Sequence, residues 1–419
     1  MGVLRSRMIK RLAWRSIWRN RRRTIITISS IALGLTFAIF LVALGEGIYE
    51  QMIENAIRMQ AGHIVLENPE YRDAPATDLW IAPSEEFRRR IESIEGVESV
   101  RSVITGQGLV RSGSGAVGVL LFGVEPSKEK PTSPMAKNLE AGAYLAEGDG
   151  AFVVIGADLA EQLDVDVGKK LVLSANDTEG NLREELCRVK GIFRTGAEEV
   201  DGYLVQAPLG FARNLFALPE DGTTELAVVL RRSKDQERVL REVRTILGGG
   251  GGGGGAVALP WQEVLVELAA YIRMDRYSNW TFQGLLVVII LFTIFNTILM
   301  SVLERKHEFA VLLALGTPPG QIRRQVMVET AFLGLVGCGA GLLLGGVVSY
   351  VFQVHGVDIR LFYKEGLSIS GLGIADELRT RVTIPMLLWI GGIVYGATLL
   401  LGLLPMRHAV GHSITDTLR

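Results

Sequence analysis

The stretch YSNWTFQGLLVVIILFTIFNTILMSVL, Tyr277–Leu303, followed by ERKHEF, Glu304–Phe309, decides the fold. Its first part is 27 residues without a charge, between Arg276 and Glu304. About 20 apolar residues suffice for a helix to cross the hydrocarbon core of a bilayer. Beyond the charged hexamer come AVLLALG (Ala310–Gly316), TPPG (Thr317–Gly320) and QIRR (Gln321–Arg324), leading into the uncharged run Thr330–Gln353. A short apolar helix, a Gly/Pro break and a basic helix are thus pinned between two spans. Such an element is suited to pushing against another body rather than to catalysis.

Working outward, Thr24–Leu44 is a second uncharged run of 21 residues, preceded by a segment with nine Arg or Lys and no acid in residues 1–23. That segment reads as an amphipathic helix at an anionic membrane surface, and the run after it as a retained anchor. A signal peptide would have a shorter core and a small-residue cleavage site. The positive-inside rule then puts the N-terminus in the cytoplasm. Spans are expected at 24–44, 282–303, 330–353 and 384–406, with a cytoplasmic segment at 304–329, an outer loop at 354–383 and a cytoplasmic tail at 407–419. Gly337, Gly341 and Gly345, and likewise Gly392 and Gly396, are spaced to let helix backbones approach closely.

Residues 45–276 contain no further span. Hydrophobic content of 48%, mean hydropathy of +0.29 and 21% charged residues fit spans plus one sizeable water-facing domain. Strands are expected at Gly62–Glu67, Ser99–Ile104, Val117–Val124, Phe152–Ile155, Lys170–Leu173, Cys187–Phe193 and Glu225–Arg231. Helices are expected at Ser84–Ile94, Ala157–Leu163 and Lys234–Leu247. Two subdomains are read, the middle portion (about 126–220) inserted into the outer one. The run Gly248–Gly255 reads as a flexible connector. The fold class is therefore an α-helical membrane protein with four transmembrane helices plus a large mixed α/β extracytoplasmic domain.

Chemistry-bearing motifs are absent: no phosphate loop, no His-Glu-x-x-His, no nucleophile elbow and no paired cysteines. His408 and His412 sit four apart, but nothing nearby completes a metal site. Asn296, inside the second span, is read as interhelical glue, and Glu329 as interfacial rather than buried. No catalytic residue, metal or cofactor is expected on this chain, and the basic arm abuts a span, which argues against nucleic acid.

Three sets of residues carry a resemblance. They are Leu12–Asn20 with Arg21–Arg23; Val154–Ala160 followed by Val167-Gly168; and Glu304–Phe309 with Leu313–Gly316, together with Pro405 and the ending Asp416–Arg419. The chain resembles the four-span permeases of the macrolide-exporter and lipoprotein-releasing (MacB/FtsX-type) ABC transporters. Asn296–Arg305 and Arg58–Ile64 look most similar to the lipoprotein-releasing (LolC/LolE-type) branch. The resemblance implies a MacB-like periplasmic core and a bacterial inner-membrane location. It also implies two copies of a separate ATPase holding ATP and Mg2+, and a second permease, identical or paralogous. Mechanical motion would release lipoproteins from the outer leaflet, with a periplasmic lipoprotein carrier as a further partner. The alternatives it leaves open are an FtsX-like signalling protein and an exporter of an amphiphilic small molecule or peptide.

On this resemblance Glu304, Arg305, Glu308, Phe309, Leu312, Leu313, Leu315 and Gly316 are the ATPase-coupling candidates, the other reading being an interfacial loop dipping into lipid. Phe37, Phe40, Leu41, Phe282, Leu286 and Val287 are either walls of a substrate cavity or surfaces facing lipid and neighbouring helices.

Overall fold

The computed structural model describes residues 21–249, 252–358, 368–369, 372–373 and 377–410. Residues 1–20 of the elbow, residues 359–367, 370–371 and 374–376 of the outer loop, His412 and the tail from 411 lie outside the described residues. The chain folds as two compact units. One takes in Met1–Tyr49, Arg273–Val357 and Glu377–Arg419, the other Glu50–Ile272 and Asp358–Asp376.

The first unit is helical. Its elements are α1 (Arg21–Ala56) up to residue 49, α6 (Val266–Glu304) from residue 273, α7 (Lys306–Ala314), α8 (Pro319–His355) and α9 (Ile384–Val410). Four of these, all but α7, are long and apolar enough to cross a membrane. Side chains four apart on a helix share a face, and the bundle core is built on that spacing. Ile31, Leu35 and Ile39 of α1 meet Ile290, Ile294 and Ile298 of α6, with Cys338 of α8 and Val394 of α9.

The glycine stripe of α8 lies against the same α1 residues. A methyl added at Gly337 would sit 2.8 Å from Ile31 Cβ, one at Gly341 2.9 Å from Leu35 Cβ, and one at Gly345 3.0 Å from Ile39 Cδ1. Only glycine leaves room for that approach, and tight packing is what holds helices together in lipid. The expectation for α9 shifts to other glycines. Among the described residues a methyl added at Gly392 or Gly396 would meet nothing within 4 Å, whereas one at Gly391 would abut Leu342 and one at Gly402 Thr330.

The second unit is a mixed sheet, ten-stranded among the described residues, in the order β10-β1-β9-β2-β3-β8-β5-β7-β4, with β6 joining β2 to β7. The strands are β1 (Ile64–Glu67), β2 (Val97–Arg111), β3 (Ala116–Val124), β4 (Leu139–Gly142), β5 (Phe152–Gly156), β6 (Lys170–Asn176), β7 (Leu182–Phe193), β8 (Leu204–Pro208), β9 (Glu225–Leu230) and β10 (Val257–Pro260). The helices packed on them are α2 (Glu85–Glu92), α3 (Ala157–Leu163), α4 (Leu209–Phe216) and α5 (Gln236–Gly248). Two cores form, as two subdomains require. Ile64, Leu66, Phe87, Ile91, Val228 and Val239 centre one. Leu121, Ile155, Leu163, Leu173, Val205 and Phe216 centre the other.

Strand β2 is shared by both cores, so the second begins at Ile104, earlier than the expected insertion point. The strand continues past Ile104 because its second half pairs with β3 and β6. Gly106, which interrupts the apolar alternation there, is where the ring of Phe216 lies. The glycine run is likewise not a free connector in its second half. Ser84 N–H donates to the Gly252 carbonyl at 3.0 Å, and Gly253 packs against Leu247 and Phe87.

Candidate functional site

Helix α7 is a short rod set between α6 and α8, and its ends follow from sequence. At its start, Arg305 leaves helical geometry, and Glu308 places a carboxylate in the first turn, where the helix dipole favours it. At its end, Gly316 N–H donates to Leu313 O and Thr317 N–H to Leu312 O, both at 3.0 Å. These two bonds with Gly316 at φ +88° make a Schellman cap, a left-handed backbone that glycine alone adopts cheaply. Pro319 then supplies the first residue of α8, where its missing N–H costs nothing.

One side of α7 is locked. Phe309, 1% exposed, packs with Val302 of α6 and with Ile322 and Val326 of α8, and Leu313 leans on the same cluster. The Arg305 guanidinium lies over the Phe309 ring at 5.0 Å, bonds Glu308 Oε2 through Nε at 3.2 Å, and bonds Glu329 Oε2 through Nη1 at 2.9 Å. Glu329 is 6% exposed. It was expected at the interface. It is buried because Arg305 reaches it from the far end of the hairpin, 24 residues away in sequence, which no local pattern reveals.

Among the described residues the other side of α7 is exposed. Val311 is 43%, Leu312 36% and Leu315 78% exposed, and Glu304, Glu308 and Gly316 are exposed beside them. The eight coupling candidates therefore divide. Leu312, Leu315, Glu304, Glu308 and Gly316 lie on the open surface, while Arg305, Phe309 and Leu313 hold the rod to α6 and α8. Val311, not singled out from sequence, joins the open apolar edge.

The six cavity candidates divide too. Phe37 and Phe282 are exposed, and Leu41 and Leu286 are half-buried. Phe40 stacks edge-on against Phe352 of α8, with ring centroids 5.3 Å apart, and Val287 packs against the bundle core. Sequence reasoning missed a polar clasp between α1 and α6 beyond these residues. Tyr49 donates to Asp275 Oδ2, Asn279 Nδ2 donates to Tyr49 at 2.6 Å, and Arg276 bonds Glu46 Oε2 at 3.2 Å.

In the sheet unit, Glu67 of β1 and Glu225 of β9 face one another in antiparallel register. Both are buried, and the Arg72 guanidinium forks onto the Glu67 carboxylate. Burial raises Glu225 to about 7, Arg72 opposing and Glu67 reinforcing the shift. His63 precedes β1. Its Nδ1 accepts from Leu230 N–H at 3.1 Å, and burial lowers it to about 4, so the ring is neutral. Among the described residues no cluster of three or more His, Cys, Asp or Glu could hold a metal.

Residues 24–246 match the MacB-like periplasmic core domain and residues 280–414 the FtsX-like permease C-terminal domain. The chain is 24% identical over 335 residues to the lipoprotein-releasing system transmembrane protein LolC of Neisseria meningitidis, covering 78% of this chain and 77% of that protein. It is 23% identical over 380 residues to an uncharacterised ABC transporter permease of Methanocaldococcus jannaschii, covering 89% and 90%. It is 26% identical over 385 residues to the pyoverdine export ATP-binding/permease protein PvdT of Pseudomonas aeruginosa, covering 85% of this chain and 55% of that protein. With four apolar helices, a two-core α/β domain and matches along nearly its whole length, the chain belongs to the MacB/FtsX-type family of ABC transporter permeases.

Proposed function

We propose that this permease extracts lipoproteins from the outer leaflet of a bacterial inner membrane, driven by ATP that a separate partner hydrolyses. The observation that carries the coupling half is the open apolar edge of α7. Val311, Leu312 and Leu315 sit on a rod capped at one end by Gly316 and held at the other by Arg305. An exposed apolar strip on a fixed helix is the form in which amphipathic helices enter a groove on a partner. Two ATPase copies, carrying ATP and Mg2+, would take the α7 rods of two permeases. Helix α6, unbroken from Val266 to Glu304, would carry the stroke outward.

The substrate half rests on likeness to LolC permeases. The test is reconstitution of the full chain with its ATPase in nanodiscs loaded with a fluorescent triacylated lipopeptide, with albumin as acceptor. ATP-dependent transfer of the lipopeptide is expected. ATP hydrolysis without transfer would overturn the lipoprotein reading. It would favour export of an amphiphilic small molecule, which the similarity to PvdT keeps as the second reading.

A further inference from the structure

We infer that Glu329 is a positioning residue which, through Arg305, holds α7 in a fixed orientation against α1 and α8; the inference rests on the coupling role proposed for α7. The geometry is that of a hub. Arg305 stands at the junction of α6 and α7, and Glu329 lies in α8. Thr24 and Thr27 of α1, Thr297 of α6 and Thr330 of α8 line a small cavity around the pair. Both charged side chains are largely withdrawn from water, Arg305 at 11% and Glu329 at 8% side-chain exposure.

The same guanidinium covers Phe309, the residue that seats α7 in the bundle, and bonds Glu308 on the first turn of α7. A single cation therefore ties the pivot of α7 to α8, beside the first turns of α1. Planar, multi-donor recognition of this kind is what arginine supplies and lysine does not. A buried pair contributes little net stability, and removing Glu329 leaves Arg305 bonded to Glu308 on α7 but no longer to α8. A pair in this place therefore makes sense as a device for orientation. A push on α7 reaches α8 through the Arg305–Glu329 bond, instead of being lost in rotation of the rod.

The test uses spin labels at Arg22→Cys in α1 and His307→Cys in α7 of the full-length chain, with Cys187 and Cys338 replaced by alanine. The chain is reconstituted with its ATPase in nanodiscs carrying the fluorescent triacylated lipopeptide. The unaltered pair should give one narrow distance distribution. E329Q should at least double its width and lower lipopeptide released per ATP hydrolysed at least tenfold, with the ATPase still bound. R305K keeps a cation beside Glu329 and Glu308 but loses the planar fork that bonds both. It should broaden the distribution and lower the release ratio as E329Q does while thermal unfolding in detergent stays close to unchanged, a separation that a role in folding alone does not produce. An unchanged distribution in E329Q, or broadening that always comes with an equal loss of thermal stability in both variants, would overturn the inference. A broadened distribution with an unchanged release ratio would uphold the positioning and refute the coupling role of α7.

Discussion

Replacing Glu225 by glutamine should stabilise the sheet domain at alkaline pH and do nothing in acid. Glu225 is buried opposite Glu67, and the guanidinium within reach, Arg72, is bonded to Glu67. Its folded value is about 7, above the ordinary carboxyl value of 4.5. A raised acid binds its proton more tightly in the folded chain. Its contribution is therefore fully present below about pH 4.5 and is lost as pH rises towards 7. The loss is roughly 1.4 kcal/mol per pH unit, or about 3 kcal/mol across the interval. His63, lowered to about 4, slopes the other way over much of the same range and masks the effect in the unaltered chain. The difference between E225Q and the unaltered chain isolates Glu225, because His63 titrates in both. Hydrogen exchange of the β1 and β9 amides in the detergent-solubilised chain, corrected for intrinsic rates, reads the difference locally. E225Q should gain up to about a hundredfold in protection at pH 8 and nothing at pH 4.5. A difference that does not vary with pH would refute the reasoning and show that Arg72 neutralises both carboxylates.

Two further predictions follow from packing and topology. Gly341→Val places its Cβ within 2.9 Å of Leu35 Cβ and 3.0 Å of the Ala32 carbonyl oxygen, so it should lower thermal stability in detergent by about 1–3 kcal/mol. Gly339→Val, on the same helix with nothing within 4 Å, should leave it close to unchanged; equal losses would remove the close-packing argument. For topology, an impermeant maleimide should label a cysteine at exposed Glu179 in intact spheroplasts and one at exposed Arg323 only after permeabilisation. The reverse pattern would invert the orientation. The native thiols, Cys187 and Cys338, are both buried.

The spans and the α1-facing glycine stripe were legible because a helix repeats every 3.6 residues and a bilayer demands length, both local properties. The turn after α7 was legible for the same reason, since Leu315-Gly316-Thr317-Pro318-Pro319 specifies its own cap. What escaped depends on neighbours distant in sequence. Phase around α7, which turns Phe309 and Leu313 inward and leaves Leu312 and Leu315 outward, is set by Ile322 and Val326 of the next helix. Burial of Glu329 is set by Arg305, and the true length of β2 by its pairing with β3 and β6. The pleat of β8 and β10 was missed because each is a short, fully or largely covered segment without clear alternation. The edge-on contact of Phe40 with Phe352 of α8 was likewise not legible, because the two are more than 300 residues apart.

The most direct measurement is the affinity of the partner ATPase for the double variant L312D/L315D. Both leucines stand on the open edge of α7, so the free chain should fold and insert as before, with unchanged thermal unfolding in detergent. In a groove, each leucine would contribute about 1.5–3 kcal/mol, and each unpaired aspartate would add a desolvation penalty. Binding of the ATPase to the detergent-solubilised chain should therefore weaken by at least about a thousandfold. An ATPase that binds the variant as tightly as the unaltered chain would contradict the assignment of α7 as the coupling helix.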